Sequence, residues 1–254
     1  MGMRHQMGRY GWIPDLPDAR DRMYAAPRKM AAPKSVDLRA ICPKIYDQGT
    51  LGSCTANAIA AAIEFDQRKE MLVAPFTPSR LFIYYNERAL EGTISNDSGA
   101  MIRDGIKSVA QQGVCAEPSW PYVEQKFADR PAAQCYIAGK LHPTVSYSRV
   151  AQDPAQMKAC LAAGYPFVFG FTVYEGFESD EVAHTGLAEM PGEGETALGG
   201  HAVMAAGYDD ASQRFLLRNS WGASWGMGGY FTLPYAYLAD ENLAADFWTI
   251  RVVR

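Results

Sequence analysis

Residues 47–65 read DQGTLGSCTANAIAAAIEF, and the reading of Cys54 within them decides the reading of the whole chain. Gly49 and Gly52 permit tight backbone conformations just before the cysteine, and Ser53 stands where a helix N-cap belongs. From Ser53 to about Lys69, Ala56, Ile59, Ala60 and Ile63 return at spacings of three and four, with no glycine or proline among them. That pattern predicts a helix, and its small side chains let neighbours approach closely, so a buried central helix is expected. Cys54 then falls in the first helical turn, where unpaired N–H groups and the helix dipole favour negative charge. A thiolate is the nucleophilic form of cysteine, and such a position lowers the thiol pKa. The competing reading is a cysteine that packs under the loop as a small apolar side chain.

A thiolate nucleophile gains from an imidazole that can form an ion pair with it and later protonate a leaving group. Of the four histidines, His5 lies in the N-terminal arm, His142 precedes a proline in a connector, and His184 lies in a polar loop. His201 follows Gly199 and Gly200 and begins the strand-like run HAVMAAGY, so two glycines leave room there for a substrate. It is the preferred partner, with His184 second. Farther on, RNSWGASWGMGGY carries Asn219 and Trp221. An asparagine carbonyl can accept an imidazole N–H and fix the ring's tautomer, and an adjacent indole can shield that bond from water. Taken alone, the stretch also reads as a glycine-rich turn with aromatic packing.

The chain has 254 residues, with 28 acidic against 24 basic side chains and a formal charge of −4. No Lys/Arg run reaches five residues, so a nucleic-acid footprint is not expected. No apolar run is long enough to span a bilayer, and the N-terminus lacks the apolar core of a secretory signal. Membrane partners are therefore not expected, and the default expectation is a cytoplasmic monomer. Cysteines at 42, 54, 115, 135 and 160 are odd in number and fit no common zinc spacing, so neither metal nor cofactor is expected.

Residues 1–36, with prolines at 14, 17, 27 and 33 among alternating Asp and Arg, read as an extended arm over the main body. Helices are expected also around 78–90 and 98–112, and over DPAQMKACLAAG, with Asp153 as N-cap and Gly164 as stop. The runs YPFVFGFTVY, HAVMAAGYD, RFLLRNSW and GYFTLP read as strands separated by turns. A helical portion over 37–140 and a β-rich portion over 141–254 give an α+β, two-lobed protein.

Three blocks in order, QGTLGSC, GGHAVMAAGYDD and RNSWGASWGMGGY, resemble the papain family of cysteine peptidases. His201 lies 147 residues after Cys54 and Asn219 a further 18 on. SVDLR, GVCAEPSWPY and MKACLAAGYPFVFGFTVYEGF extend the resemblance to roughly residues 35–235. It implies a helical lobe and an antiparallel β-barrel lobe with the active cleft between them. It implies Cys54 as nucleophile, His201 as general acid and base, and Asn219 as the residue that orients the histidine. Gln48 matches the side-chain donor of an oxyanion hole, and Trp221 would cover the Asn219 contact. The reaction would be peptide hydrolysis through a thioester on peptide or protein substrates.

The sequence also departs from the family. Leu51 stands where a bridged cysteine is common, and Thr55 replaces the usual aromatic after the nucleophile. ISNDSGAMIRDG takes the place of the loop that lines the substrate backbone, with Gly99 as its surviving glycine; Gly99, Gly200 and Trp221 are thus the expected substrate contacts. Two rival readings share the fold: a silent peptide-binding module, and a thiol acyl-transferase in which an amine resolves the thioester. The first is disfavoured because Gln48, Cys54, His201 and Asn219 are all present. Residues 1–36 are short for an inhibitory pro-domain and are read first as a structural strap, with a trimmed leader and a small plug for the cleft as the alternatives.

Overall fold

The helix expected at the cysteine forms over Cys54–Lys69 (α1), in a computed structural model that describes residues 10–25, 32–72, 74–142 and 144–253. Burial is continuous from Cys54 to Gln67, because alanines on every side let other elements close around the helix. The second helix, Arg80–Glu91 (α2), starts at Ser79, whose hydroxyl accepts the Phe82 N–H, and stops at Gly92 in the left-handed region. The third, Ile102–Gln112 (α3), ends at Gly113. A short helix at Ala133–Gly139 (α4) follows. The helix Pro154–Ala162 (α5) has Asp153 as its cap, with the side chain accepting the Ala155 N–H.

Among the described residues seven strands make one antiparallel sheet: Ser35–Asp37 (β1), Thr144–Arg149 (β2), Phe167–Tyr174 (β3), Ala197–Asp209 (β4), Arg214–Arg218 (β5), Tyr230–Pro234 (β6) and Ala244–Val253 (β7). Their order is β2-β7-β3-β4-β5-β6, with β1 on the far half of β4. The four strands expected from the sequence are β3 to β6, each within a few residues of the expected run. Helices at Asp180–Thr185 (α6) and Tyr235–Ala239 (α7) lie between strands.

The barrel implied by the resemblance is corrected to an open sheet: β2 and β6 end its six-strand path and, among the described residues, do not pair with each other. Each edge is covered by a non-strand segment, which removes the need for closure. Along β2, Tyr24 donates to the Arg149 carbonyl and Arg149 to that of Arg22. Along β6, Thr232 donates to Gly186 and Ala188 to Thr232.

Two apolar clusters hold the molecule. One lies in the sheet, where Phe169 stacks on Phe247 with centroids 5.2 Å apart and Phe167, Phe171, Phe215 and Phe231 are fully buried. The other surrounds α1, which packs against β4 and β7 on one side and α2 and α3 on the other. The first residue of α1 therefore meets the sheet at β4.

Candidate active site

Cys54 is fully buried at the start of α1. Ser53 occupies the N-cap position, but its side chain makes no capping bond. Its hydroxyl instead pairs with that of Tyr122 at 2.6 Å, and Tyr122 donates to the Gln48 carbonyl at 2.7 Å. The loop before the nucleophile is thus tied down from outside the helix. The backbone N–H groups of Ala202, Gly11 and Thr55 lie near the sulfur and favour its ionised form. Since Ala202 follows His201 on β4, the same contact sets the nucleophile beside the histidine.

His201 is fully buried, opposite Phe171 in the β3–β4 register. Its Nε2 lies 2.8 Å from Asn219 Oδ1, and the Ser220 N–H donates to the same oxygen at 2.8 Å. That second donor makes Oδ1 the oxygen of the amide, so the imidazole nitrogen facing it is the N–H donor. Trp221 stacks on the imidazole at 4.8 Å and 29°, and Phe171 meets it edge-on at 5.7 Å. Gln48 is also fully buried. Its Oε1 accepts from Ser220 Oγ at 2.6 Å and its Nε2 donates to the Leu51 carbonyl at 2.8 Å, which fixes the plane of the amide. The structure therefore gathers Cys54, His201, Asn219, Gln48 and Trp221 at one place. The other histidines are elsewhere: His142 stacks on Phe76 at 4.0 Å, His184 is exposed in α6, and His5 lies outside the described residues.

A segment of the arm lies over the nucleophile. The Gly11 N–H lies near the sulfur, and the Gly11 carbonyl accepts from Ala100 N–H at 2.7 Å. Ile13 donates to the Ala100 carbonyl at 3.1 Å, and Trp12 to that of Gly200 at 3.0 Å. Gly99, at φ +73°, passes so close that a Cβ there would lie 2.0 Å from the Gly11 carbonyl oxygen. The backbone partner of the arm is nonetheless Ala100, one residue beyond the expected glycine. Tyr10 contacts the His201 and Trp221 rings edge-on at 6.3 Å each and hydrogen-bonds Glu178. The Trp12 indole fills a pocket whose walls are bare backbone at Gly170 and Gly200, and its N–H reaches Asp246 at 3.1 Å.

This cover reverses one expectation. Burial pushes the Cys54 thiol up to about 12, against the N–H groups that favour the thiolate. With the arm in place the helix terminus does not offset the loss of water, and the sulfur is held as a neutral thiol.

The departure at Thr55 also has a structural account. Its hydroxyl donates at 2.7 Å to Glu87 Oε1 on α2, and both side chains are fully buried. Burial holds the Glu87 carboxyl well above the usual range, with the Thr55 bond acting against that shift. Thr55→Val keeps the shape and removes the donor. It is expected to lower unfolding stability by about 1–3 kcal/mol, read as a lower urea midpoint at constant slope; an unchanged midpoint would show that Glu87 does not depend on this bond.

Residues 32–242 match the model for the papain family of cysteine proteases. A peptidase C1-like protein of Acanthamoeba polyphaga mimivirus is 44% identical, covering 96% of this chain and 87% of its own. A cathepsin B-like protein (CP3) of Giardia intestinalis is 32% identical over 80% of this chain and 69% of its own. Among solved structures, xylellain, a cysteine protease from Xylella fastidiosa, superposes with a TM-score of 0.92 at 45% identity, each chain fully covered.

Proposed function

Since the chain belongs to the papain family of cysteine proteases and is a cysteine peptidase acting on peptides or proteins, we propose that Cys54, His201, Asn219 and Gln48 carry its chemistry and that residues 10–13 hold it latent. The observation that carries this reading is the His201–Asn219 bond at 2.8 Å, with the fully buried Cys54 at the start of α1 and the N–H of Ala202, the residue after His201, near its sulfur.

In the proposed cycle the arm first leaves, and water and the α1 terminus again stabilise the thiolate. His201 takes the thiol proton and becomes imidazolium, its other N–H held by Asn219. The thiolate attacks the substrate carbonyl carbon; the oxyanion is met by the Cys54 N–H and the Gln48 amide. Collapse breaks the C–N bond as His201 gives its proton to the departing amine, leaving a thioester. His201 then takes a proton from water, whose oxygen displaces the sulfur and releases the acid. Gly200 and Ala100, which now bond the arm, would bond the substrate backbone.

The test is hydrolysis of a fluorogenic peptide by the full chain, by Gly11→Ala, which is built to expel the arm, and by Gly11→Ala/Cys54→Ala. Turnover is expected to be low, high and absent in that order; equal turnover with and without Cys54 would overturn the assignment. Gln48→Ala in the Gly11→Ala chain is expected to lower kcat/KM about 100- to 1,000-fold, measured on the same substrate. An undiminished rate would remove Gln48 from the oxyanion site.

A further inference from the structure

Beyond Trp12, the arm turns every third residue inward. Asp15, Asp18, Asp21 and Tyr24 are half-buried, while the residues between them are exposed. That spacing, carried through a turn in which the Asp21 N–H meets the Asp18 carbonyl at 3.1 Å, delivers a row of carboxylates to the body. The deepest is Asp15, whose side chain has no exposed surface. Its Oδ1 accepts the Arg103 N–H at 3.1 Å, and its Oδ2 accepts the Trp248 indole N–H at 2.8 Å. The Asp15 N–H in turn donates to Asp246 at 2.7 Å, so a second carboxylate, from β7, lies against the arm at the same residue.

Arg149 on β2 is shared by Asp15 at 3.3 Å, Asp246 at 3.3 Å and Asp21 at 3.2 Å. Arg103 on α3 adds one bond to Asp21 at 3.2 Å. Three carboxylates thus meet two guanidinium groups in a mostly buried cluster. The other charged groups nearby largely pair at the rim: Asp18 with Arg20 and Lys107, and Lys107 with Asp104. Arg22 and Tyr147 lie beside them at the outer edge. The buried cluster therefore carries one negative charge in excess, and a single proton balances it.

Resting on the latency reading above, we propose that Asp15, Asp246 and Arg149 form a proton-dependent latch: the arm is held over Cys54 while the cluster carries one proton, and is released as that proton is lost. The proton sits on Asp15, where burial, followed by the Asp246 charge, raises the carboxyl to about 7. An undocked arm has an ordinary Asp15 near 4. Docking therefore binds a proton; it is tightest at acid pH, weakens as pH rises from about 4 to about 7, and is level above that. Asp246 stays on the body and Asp15 leaves with the arm, so each half can be tested separately.

The experiment is the rate of Cys54 labelling by a neutral alkylating reagent, measured on the full chain from pH 5 to 8 and divided by the rate for Asp15→Asn. The thiol's own titration cancels in the ratio. The expected ratio climbs about tenfold per pH unit from 5 toward 7 and then levels. Asp246→Asn, which balances the cluster without a proton, is expected to give the same climb when it is the divisor. Amide hydrogen exchange at Trp12 should show protection in wild type that is lost with rising pH and stays constant in both variants. A ratio flat within twofold, or one that falls, overturns the latch. Gly11→Ala separates the two ideas: if it fails to speed labelling, the latency reading is wrong; if it does and the ratios are flat, only the latch is.

Discussion

Gly11→Ala is expected to raise the rate of Cys54 alkylation in the full chain by about 100-fold or more at neutral pH. A Cβ at this position would lie 1.7 Å from the Gly52 carbonyl oxygen and 2.4 Å from its carbon. Those atoms are backbone, in the loop that leads into α1, and they cannot turn aside as a side chain would. The Gly52 N–H is itself fixed by the Asp97 carboxylate at 3.0 Å. Overpacking against so rigid a wall costs about 3 kcal/mol, which is about 100-fold in the docking equilibrium. Losing the arm also removes the Gly11 carbonyl from Ala100 and the Trp12 ring from its pocket, and the solvent that enters lowers the thiol from about 12. Both effects act in the same direction. Intact-mass kinetics with iodoacetamide measure the rate, and a change of less than twofold would show that the arm does not limit access.

Much of this site was legible in the sequence, and the parts that were not have particular causes. Cys54 could be placed because glycines, a cap residue and a small-residue helix occur within a few positions of one another. His201 and Asn219 were legible through the glycines and indoles around them, which leave a local signature. Residues that act through the tertiary fold left none. Asp246 stands in AADFWTIRVV, a stretch with no turn residues to mark β7, and it matters only because β7 returns beside β3. Ala100 leaves no mark in the sequence, since a backbone contact needs no special side chain. The arm did carry a signal: Trp12, Asp15, Asp18, Asp21 and Tyr24 share a period of three around two prolines. It belongs to neither the strand period of 2 nor the helix period of 3.6. The thiol's ionisation departs from its local signal for a related reason. Helix position is local and favours the thiolate, whereas burial by a distant segment is not and prevailed.

His201→Ala, made in the Gly11→Ala chain so that the cleft is open, is expected to lower kcat/KM by about 1,000- to 10,000-fold. The imidazole takes part in each proton transfer of the proposed cycle, and no other histidine among the described residues lies at the site. The fold should survive: Asn219 Oδ1 keeps the Ser220 N–H, and the vacated space lies between Trp221 and Phe171, which retain other aromatic contacts. A structural role and a chemical one part company in the alkylation profile. An open Cys54 paired with imidazolium is a thiolate well below neutral pH; without the ring its pKa returns toward about 8.5. Alkylation at pH 6 should therefore fall by about 100-fold or more, while at pH 9.5 the two chains should react within a few-fold of each other. Equal profiles at both pH values would mean that His201 does not ionise the thiol. A fall at both would mean that the ring supports the pocket rather than the charge.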